Sequence, residues 1–257
     1  MHHQIADTAI GRSPGRPLLV AGGIRSRAAI FLLFVLVVCA TSGCGNKAKD
    51  LTESKEKAWA LAGGIETYNK QLRDLPRNKV DEEGKVIQSW RAQLLFLIGQ
   101  RNLSDLMDRD LPCNSPDQPK ASEVSATQYI VPQFQSPHAA DKELPLTNFV
   151  AIANPSAPLY STERITPDDL KSRDGASNTA VFIEYPESQI RWAEPKDITL
   201  TEAIELVKNP TYASGTVVGM ADGKAMVIPK TASEEDLTKL FLLDNGAPEG
   251  DWWKSKK

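Results

Sequence analysis

Residues Ala28 to Ala40 form a continuous apolar run, preceded by Arg25 and Arg27 and followed by Thr41-Ser42-Gly43-Cys44. This feature constrains the fold more than any other, because it decides which residues take part in folding at all. Thirteen residues fall short of the ~18 or more that span a bilayer, and a basic flank before a short apolar core has the form of an export signal. Small side chains ahead of a thiol have the form of a lipobox. The Cys44 thiol would accept a diacylglycerol, and small neighbours would let a signal peptidase reach the bond before it. Thr41 stands where a larger aliphatic residue is more usual, and the basic region is long. A plain secretory signal cut near Ala40, or an uncleaved short anchor, is the alternative reading.

On the lipobox reading the chain has four parts: a signal peptide at 1–43, a tether at 44–50, a folded domain at 51–250 and a polar tail at 251–257. Asn46, Lys47, Lys49 and Asp50 give the tether its polar character. The protein is then expected in the cell envelope, facing the periplasm or the surface. Gly45, rather than Asp, after the cysteine predicts the outer membrane.

Removing residues 1–43 takes away four arginines and one aspartate. The 30 basic and 33 acidic residues of the chain become 26 and 32, a net charge of −6. With no basic stripe, binding to nucleic acid through phosphate neutralisation is not expected. The remaining 214 or so residues suffice for one sizeable core or two small ones. Their cysteines are Cys44 and Cys113, so a lipid on Cys44 leaves Cys113 without a disulfide partner. His138 is their single histidine, too few for a zinc site. Glycine-rich phosphate loops, Gly-x-Ser-x-Gly elbows and His-Glu-x-x-His helices are all missing from the sequence. No cofactor and no enzymatic activity are expected.

Leu51, Ala58, Ile65 and Leu72, with Leu61 and Tyr68 between them, form one helical stripe opposite Glu53, Lys55, Glu56 and Lys57. Gly63-Gly64 lies inside it as a potential bend, and Pro76 marks its end. A charged turn, Asp81 to Gly84, leads to Val86–Trp90 and the apolar run Leu94–Ile98; residues 112–122 read as loop. Tyr129–Phe134, Phe149–Ala153 and Ala180–Ile183 are strand candidates. Thr199 with Glu202 is a capping box for a helix carrying Leu200, Ile204 and Val207. Thr216–Met220 and Lys224–Ile228 flank Ala221-Asp222-Gly223, the strongest hairpin signal. Ser233 with Asp236 starts a last helix bearing Leu237, Leu240 and Phe241, closed by Asn245-Gly246. One long helix, short strands, then small helices and a hairpin predict an α+β domain.

Several stretches together carry a resemblance. They are Ile65-Glu66-Thr67-Tyr68-Asn69, Ser89-Trp90-Arg91, Asn114-Ser115-Pro116, Phe134-Gln135-Ser136-Pro137, Thr147-Asn148-Phe149 and Asp174-Gly175-Ala176-Ser177-Asn178-Thr179 with Glu184, followed by Trp192, Pro195 and Asp197. In order and spacing the chain resembles a planctomycete family of pilin-like proteins of unknown function, sometimes filed among bacterial solute-binding proteins. The resemblance covers roughly Ile65 to Asn245. It implies a pilin-like architecture, a long N-terminal helix packed on an antiparallel sheet, with short extra helices and loops. The family's prepilin signature is replaced here by the lipobox. Its C-terminal motif is His, nine residues, then Asp-Gly; ten residues before Asp222 this chain has Tyr212, so the role of that His does not transfer.

The candidate chemistry is sparse. Asp174, Asn178 and Glu184 could supply oxygens to a hard cation. The alternative is a turn whose side chains bond their own backbone, with Glu184 facing outward at a strand end. Cys113 and His138 could pair as nucleophile and base, but both lie in proline-rich loops without an orienting acid. Trp90, Trp192, Trp252 and Trp253 could line a cleft; the first two fit core packing better, and the last pair a terminal tail. These features point to a lipid-anchored envelope protein with a structural or protein-interaction role and envelope proteins as partners. The alternative is a lipid-anchored solute-binding protein.

Overall fold

The computed structural model describes residues 28–121, 123–246 and 248, the side chains of 28–48 and 121 excepted. The chain divides into two units, Met1–Cys44 and Gly45–Lys257. Among the described residues no helix is long and apolar enough to cross a membrane.

Helix α1 spans Ala28–Leu72, so the stretch read as a tether is helical. Its buried face runs through Ser54, Ala58, Leu61, Ala62, Ile65 and Asn69, spacings that follow 3.6 residues per turn. Leu72, expected as the last member of the stripe, is 54% exposed. A strict seven-residue repeat drifts about 20° per heptad around a straight helix, which carries the buried face from Ile65 to Asn69 instead. Gly63-Gly64 leaves the helix unbroken. A Cβ on Gly64 would sit 3.4 Å from Ile98 Cγ2, an ordinary contact, so the Leu97-Ile98 segment packs beside the helix at this point. Arg73, in the left-handed region (φ 57°), ends α1.

Next come strands β1 (Lys79–Val80) and β2 (Val86–Gln88), an antiparallel pair closed by the charged turn. Ser89 caps α2 (Trp90–Leu94) by accepting from Arg91 N; α3 spans Arg101–Leu106. A second small hairpin joins β3 (Lys120–Ala121) to β4 (Val124–Ser125). Tyr129–Phe134, read as a strand, instead ends in a 3-10 turn at Pro132–Phe134. Pro132 has no N–H to give a ladder and suits the first position of such a turn. Phe134 turns inward to stack on Trp192, ring centroids 5.9 Å apart.

The main sheet has the order β5-β6-β7-β8, from β5 (Phe149–Val150), β6 (Ala180–Glu184), β7 (Thr216–Met220) and β8 (Ala225–Ile228), antiparallel throughout. The hairpin at Asp222-Gly223 forms as the sequence predicts, with Met220 N donating to Lys224 O at 2.8 Å. Both faces of the sheet are covered. Phe149, Phe182, Val217 and Ala221 join the α1 residues Ala58, Leu61, Ala62 and Ile65 in one core. Val150, Ile183, Val218 and Met220 pack on the other side against α5 (Leu200–Lys208) and α6 (Glu234–Phe241). Strand β7 alternates cleanly between the two cores. In β6 the register shifts between Ala180 and Phe182, so Val181 and Phe182 both join the α1 core while Ala180 and Ile183 join the other. An extra residue in one strand has this effect on alternation.

The starts of α5 and α6 are read correctly from sequence. Glu202 N donates to Thr199 Oγ1 at 3.2 Å while Glu202 Oε2 accepts from Thr199 N at 2.7 Å. Asp236 N donates to Ser233 Oγ at 3.0 Å. A capping box missed in the sequence, Thr166 with Asp169, starts α4 (Pro167–Ser172). The architecture is the expected α+β arrangement, a helix packed on antiparallel sheet with short helices and loops.

Candidate functional site

Strand alternation sets the first site. Glu184 ends β6 on the same face as Phe182, toward α1, so it does not face outward; it is 1% exposed. Its Oε1 accepts from Ser136 Oγ and, at 3.1 Å, from Tyr212 Oη. Ser136 Oγ in turn accepts from His138 N at 3.0 Å. The His138 ring leans on Tyr212, centroids 5.2 Å apart, and its Nε2 lies 3.4 Å from Asp50 Oδ2 on α1. Ser54 Oγ is fully buried here and makes no hydrogen bond of ordinary geometry, though it stands close enough to favour the Glu184 carboxylate. Burial pushes the Glu184 pKa up, opposed by the hydroxyls of Ser136, Ser54 and Tyr212 and by His138. Burial and the Glu184 charge push Tyr212 up as well. Tyr212, at the position ten residues before Asp222, is thus a donor to a buried carboxylate.

The second site is a buried ion pair. Arg91 on α2 and Asp197 are both fully enclosed and joined through Nη2 and Oδ1. Arg91 also donates to Phe149 O, at 3.1 and 3.0 Å, and to Ser89 Oγ at 2.8 Å. Asp197 accepts further from Ala151 N (2.8 Å), Trp90 Nε1 (3.1 Å) and Tyr160 Oη (3.1 Å). Enclosed charges of opposite sign with every lone pair engaged form a structural knot, here tying α2 to β5. Sequence reasoning missed it because neither residue type is expected in a core. The signal was nonetheless present: Trp90, Arg91 and Asp197, and separately Ser136 and Glu184, all belong to the stretches that carry the family resemblance.

Tyr160 also walls a cleft of about 710 Å³ between the end of α1, the β1–β2 hairpin and Leu159–Thr162. Arg77, Lys79 and Arg109 line it against a single carboxylate, Asp74. Burial, then the Asp197 charge, pushes the Tyr160 pKa up, so the hydroxyl keeps its proton and its bond to Asp197. Tyr68, on the opposite wall, bonds Gln93 Oε1, and Gln93 Nε2 bonds Arg77 O. The walls are therefore held before any ligand arrives.

The remaining candidates separate. Asp174 and Asn178 share one turn: Asn178 Nδ2 donates to Asp174 O at 2.6 Å, and Asp174 Oδ1 accepts from Gly246 N at 2.8 Å. Glu184 is engaged with Ser136 and Tyr212 instead, so the three oxygens are not one ligand set. Among the described residues no group of three or more His, Cys, Asp or Glu is placed to hold a metal ion. Cys113 is a half-buried free thiol packed on the α1 core, with its pKa raised chiefly by burial, while His138 is engaged with Asp50 and Tyr212. Trp90 and Trp192 are core residues; Trp252 and Trp253 lie outside the described residues, as does the side chain of Cys44.

No curated protein and no solved structure matches this chain. Over residues 57–178, which include every wall of the cleft, the chain is similar to a family described as "Protein of unknown function (DUF1559)".

Proposed function

We propose that the protein is an envelope lipoprotein anchored through Cys44, and that its pilin-like domain has a structural or protein-interaction role rather than a catalytic one. It would be a lipid-anchored form of the planctomycete pilin-like family, with Tyr212 replacing that family's His. The observation that carries this reading is the Ala58–Ile65 part of α1 laid along one face of an antiparallel sheet within a single compact unit, Gly45–Lys257. A two-lobed, hinge-closing binder would divide differently. Trp59 on the outer face of α1 is 63% exposed, a large apolar side chain available to a partner. Metabolic labelling with a palmitate analogue should mark the native protein and not Cys44→Ser; equal labelling of both refutes the anchor. Purification from detergent-solubilised envelope should recover a stoichiometric protein partner, and recovery of the chain alone counts against the interaction role.

A second reading, a lipid-anchored solute-binding protein, is favoured by the cleft, whose volume falls within the ~300–1,000 Å³ of ordinary ligand sites. Saturable stabilisation by a member of a metabolite panel would support it.

A further inference from the structure

The charges of the cleft do not match those of the chain around it. The chain after residue 43 carries a net −6, yet three cations and one carboxylate line this cleft. Two of the cations are already answered. Arg77 pairs with Asp74 at 2.6 Å, and Asp74 is further held by Leu75 N and Ile165 N. Lys79 pairs with Asp110. Arg109 is different: its guanidinium donates to the neutral Ser104 Oγ at 2.6 Å and has no carboxylate partner among the described residues. It still stands close enough to the cleft wall to pull down the Tyr68 pKa against the larger effect of burial.

Part of the lining is apolar. Val80 and Val86 are register partners across the β1–β2 hairpin and are 51% and 43% exposed. Leu75 and Leu159, both almost fully buried, and Tyr68 and Tyr160 complete this part of the lining. A cation with donors to spare at one side and an exposed apolar wall at the other is complementary to an amphipathic anion. The guanidinium fork can grip a carboxylate through two parallel hydrogen bonds, and the valine pair can cover a hydrocarbon body. The walls are also preformed. Tyr160 is fixed through Asp197 to the Arg91 knot, and Gln88 is fixed to Asp108 O and Leu111 O. A ligand would therefore not have to order its own site.

We infer that the cleft between the end of α1 and the β1–β2 hairpin binds a small organic anion, with its charged group on Arg109 and its apolar body against Val80 and Val86. This rests on the solute-binding reading of the cleft and is independent of the lipid anchor.

The test uses the full chain in detergent, with empty micelles as blank, and titrates hexanoate by calorimetry alongside hexanol and inorganic phosphate. Hexanoate should bind saturably and more tightly than either of the others, and more weakly as salt is raised. Arg109→Ala should weaken it about tenfold or more, the scale of one lost charged hydrogen-bonding partner. Arg109→Lys should recover part of that loss. Lys79→Ala, which removes a cation without touching Arg109, should have the smaller effect. An unchanged melting temperature in Arg109→Ala, an exposed position, separates loss of binding from loss of fold. Absence of saturable hexanoate binding, or an affinity unmoved by Arg109→Ala, overturns the inference. Phosphate binding as tightly as hexanoate also overturns it, because the apolar wall would then contribute nothing. Hexanol binding as tightly as hexanoate, and lost in Val86→Ser, overturns the anion while leaving the cleft as a solute site.

Discussion

The ring of Phe182 lies across Gly219 on the neighbouring strand: a Cβ built on Gly219 would fall 2.1 Å from Phe182 Cζ. The two are register partners in β6 and β7, and the space a side chain would take is filled by the aromatic ring that stacks on Trp90 and meets Phe149 edge-on. Gly219→Ala should therefore destabilise the fold by about 1–3 kcal/mol through overpacking. Adding Phe182→Leu should return part of that cost, so that the double substitution costs less than the sum of the singles. Urea unfolding of a soluble form starting at Gly45 measures both.

Helix α1 can be tested by comparing its ends. Ile65 is fully buried against the sheet, whereas Leu72 is 54% exposed. Ile65→Ala should cost ~2–5 kcal/mol, through lost transfer energy and the cavity left behind. Leu72→Ala should stay within about 0.5 kcal/mol. Equal small losses would show that α1 is not docked.

The Arg91–Asp197 pair makes a different prediction. Asp197→Asn keeps the shape but leaves the fully enclosed guanidinium of Arg91 uncompensated, which should cost about 3–5 kcal/mol. Replacing both partners together, Arg91→Met with Asp197→Leu, should cost less than Asp197→Asn alone. Thermal or urea melts of the three variants check the order.

Glu184 should leave a signature in the pH dependence of stability. Its folded-state pKa lies above the ordinary glutamate value, mainly because of burial, so between those two values the native state holds a proton that the unfolded state has released. The contribution of this residue to stability is thus present below the ordinary glutamate pKa and is lost as pH rises through the raised one. Glu184→Gln keeps an oxygen to accept from Ser136 and Tyr212 but cannot ionise. The stability of Glu184→Gln relative to the native protein should grow as pH rises through that window and then level off. A difference independent of pH would show that Glu184 titrates as it does in water.

Local chemistry was legible in the residues wherever the signal and its effect lie within one turn or one hairpin. Thr199 with Glu202 and Ser233 with Asp236 cap their helices because each side chain reaches an N–H only three residues ahead. Asp222-Gly223 closes its hairpin because Gly223 takes the positive φ (81°) the turn requires. Position Tyr129–Phe134 shows the limit. Its apolar run fits a strand, but Pro132 and the stacking of Phe134 on Trp192 settle it as a turn.

By itself the sequence determined the α+β class, the starts of α5 and α6, the β7–β8 hairpin and Ile65 as a core residue, because periodicity and capping act over a few residues. Only the tertiary structure decided that Glu184 turns inward, that Arg91 meets Asp197 across 106 positions and that Tyr68 and Tyr160 face one cleft. A charge enters a core only where distant segments supply its counter-charge and donors together, and that supply exists only once the chain has folded.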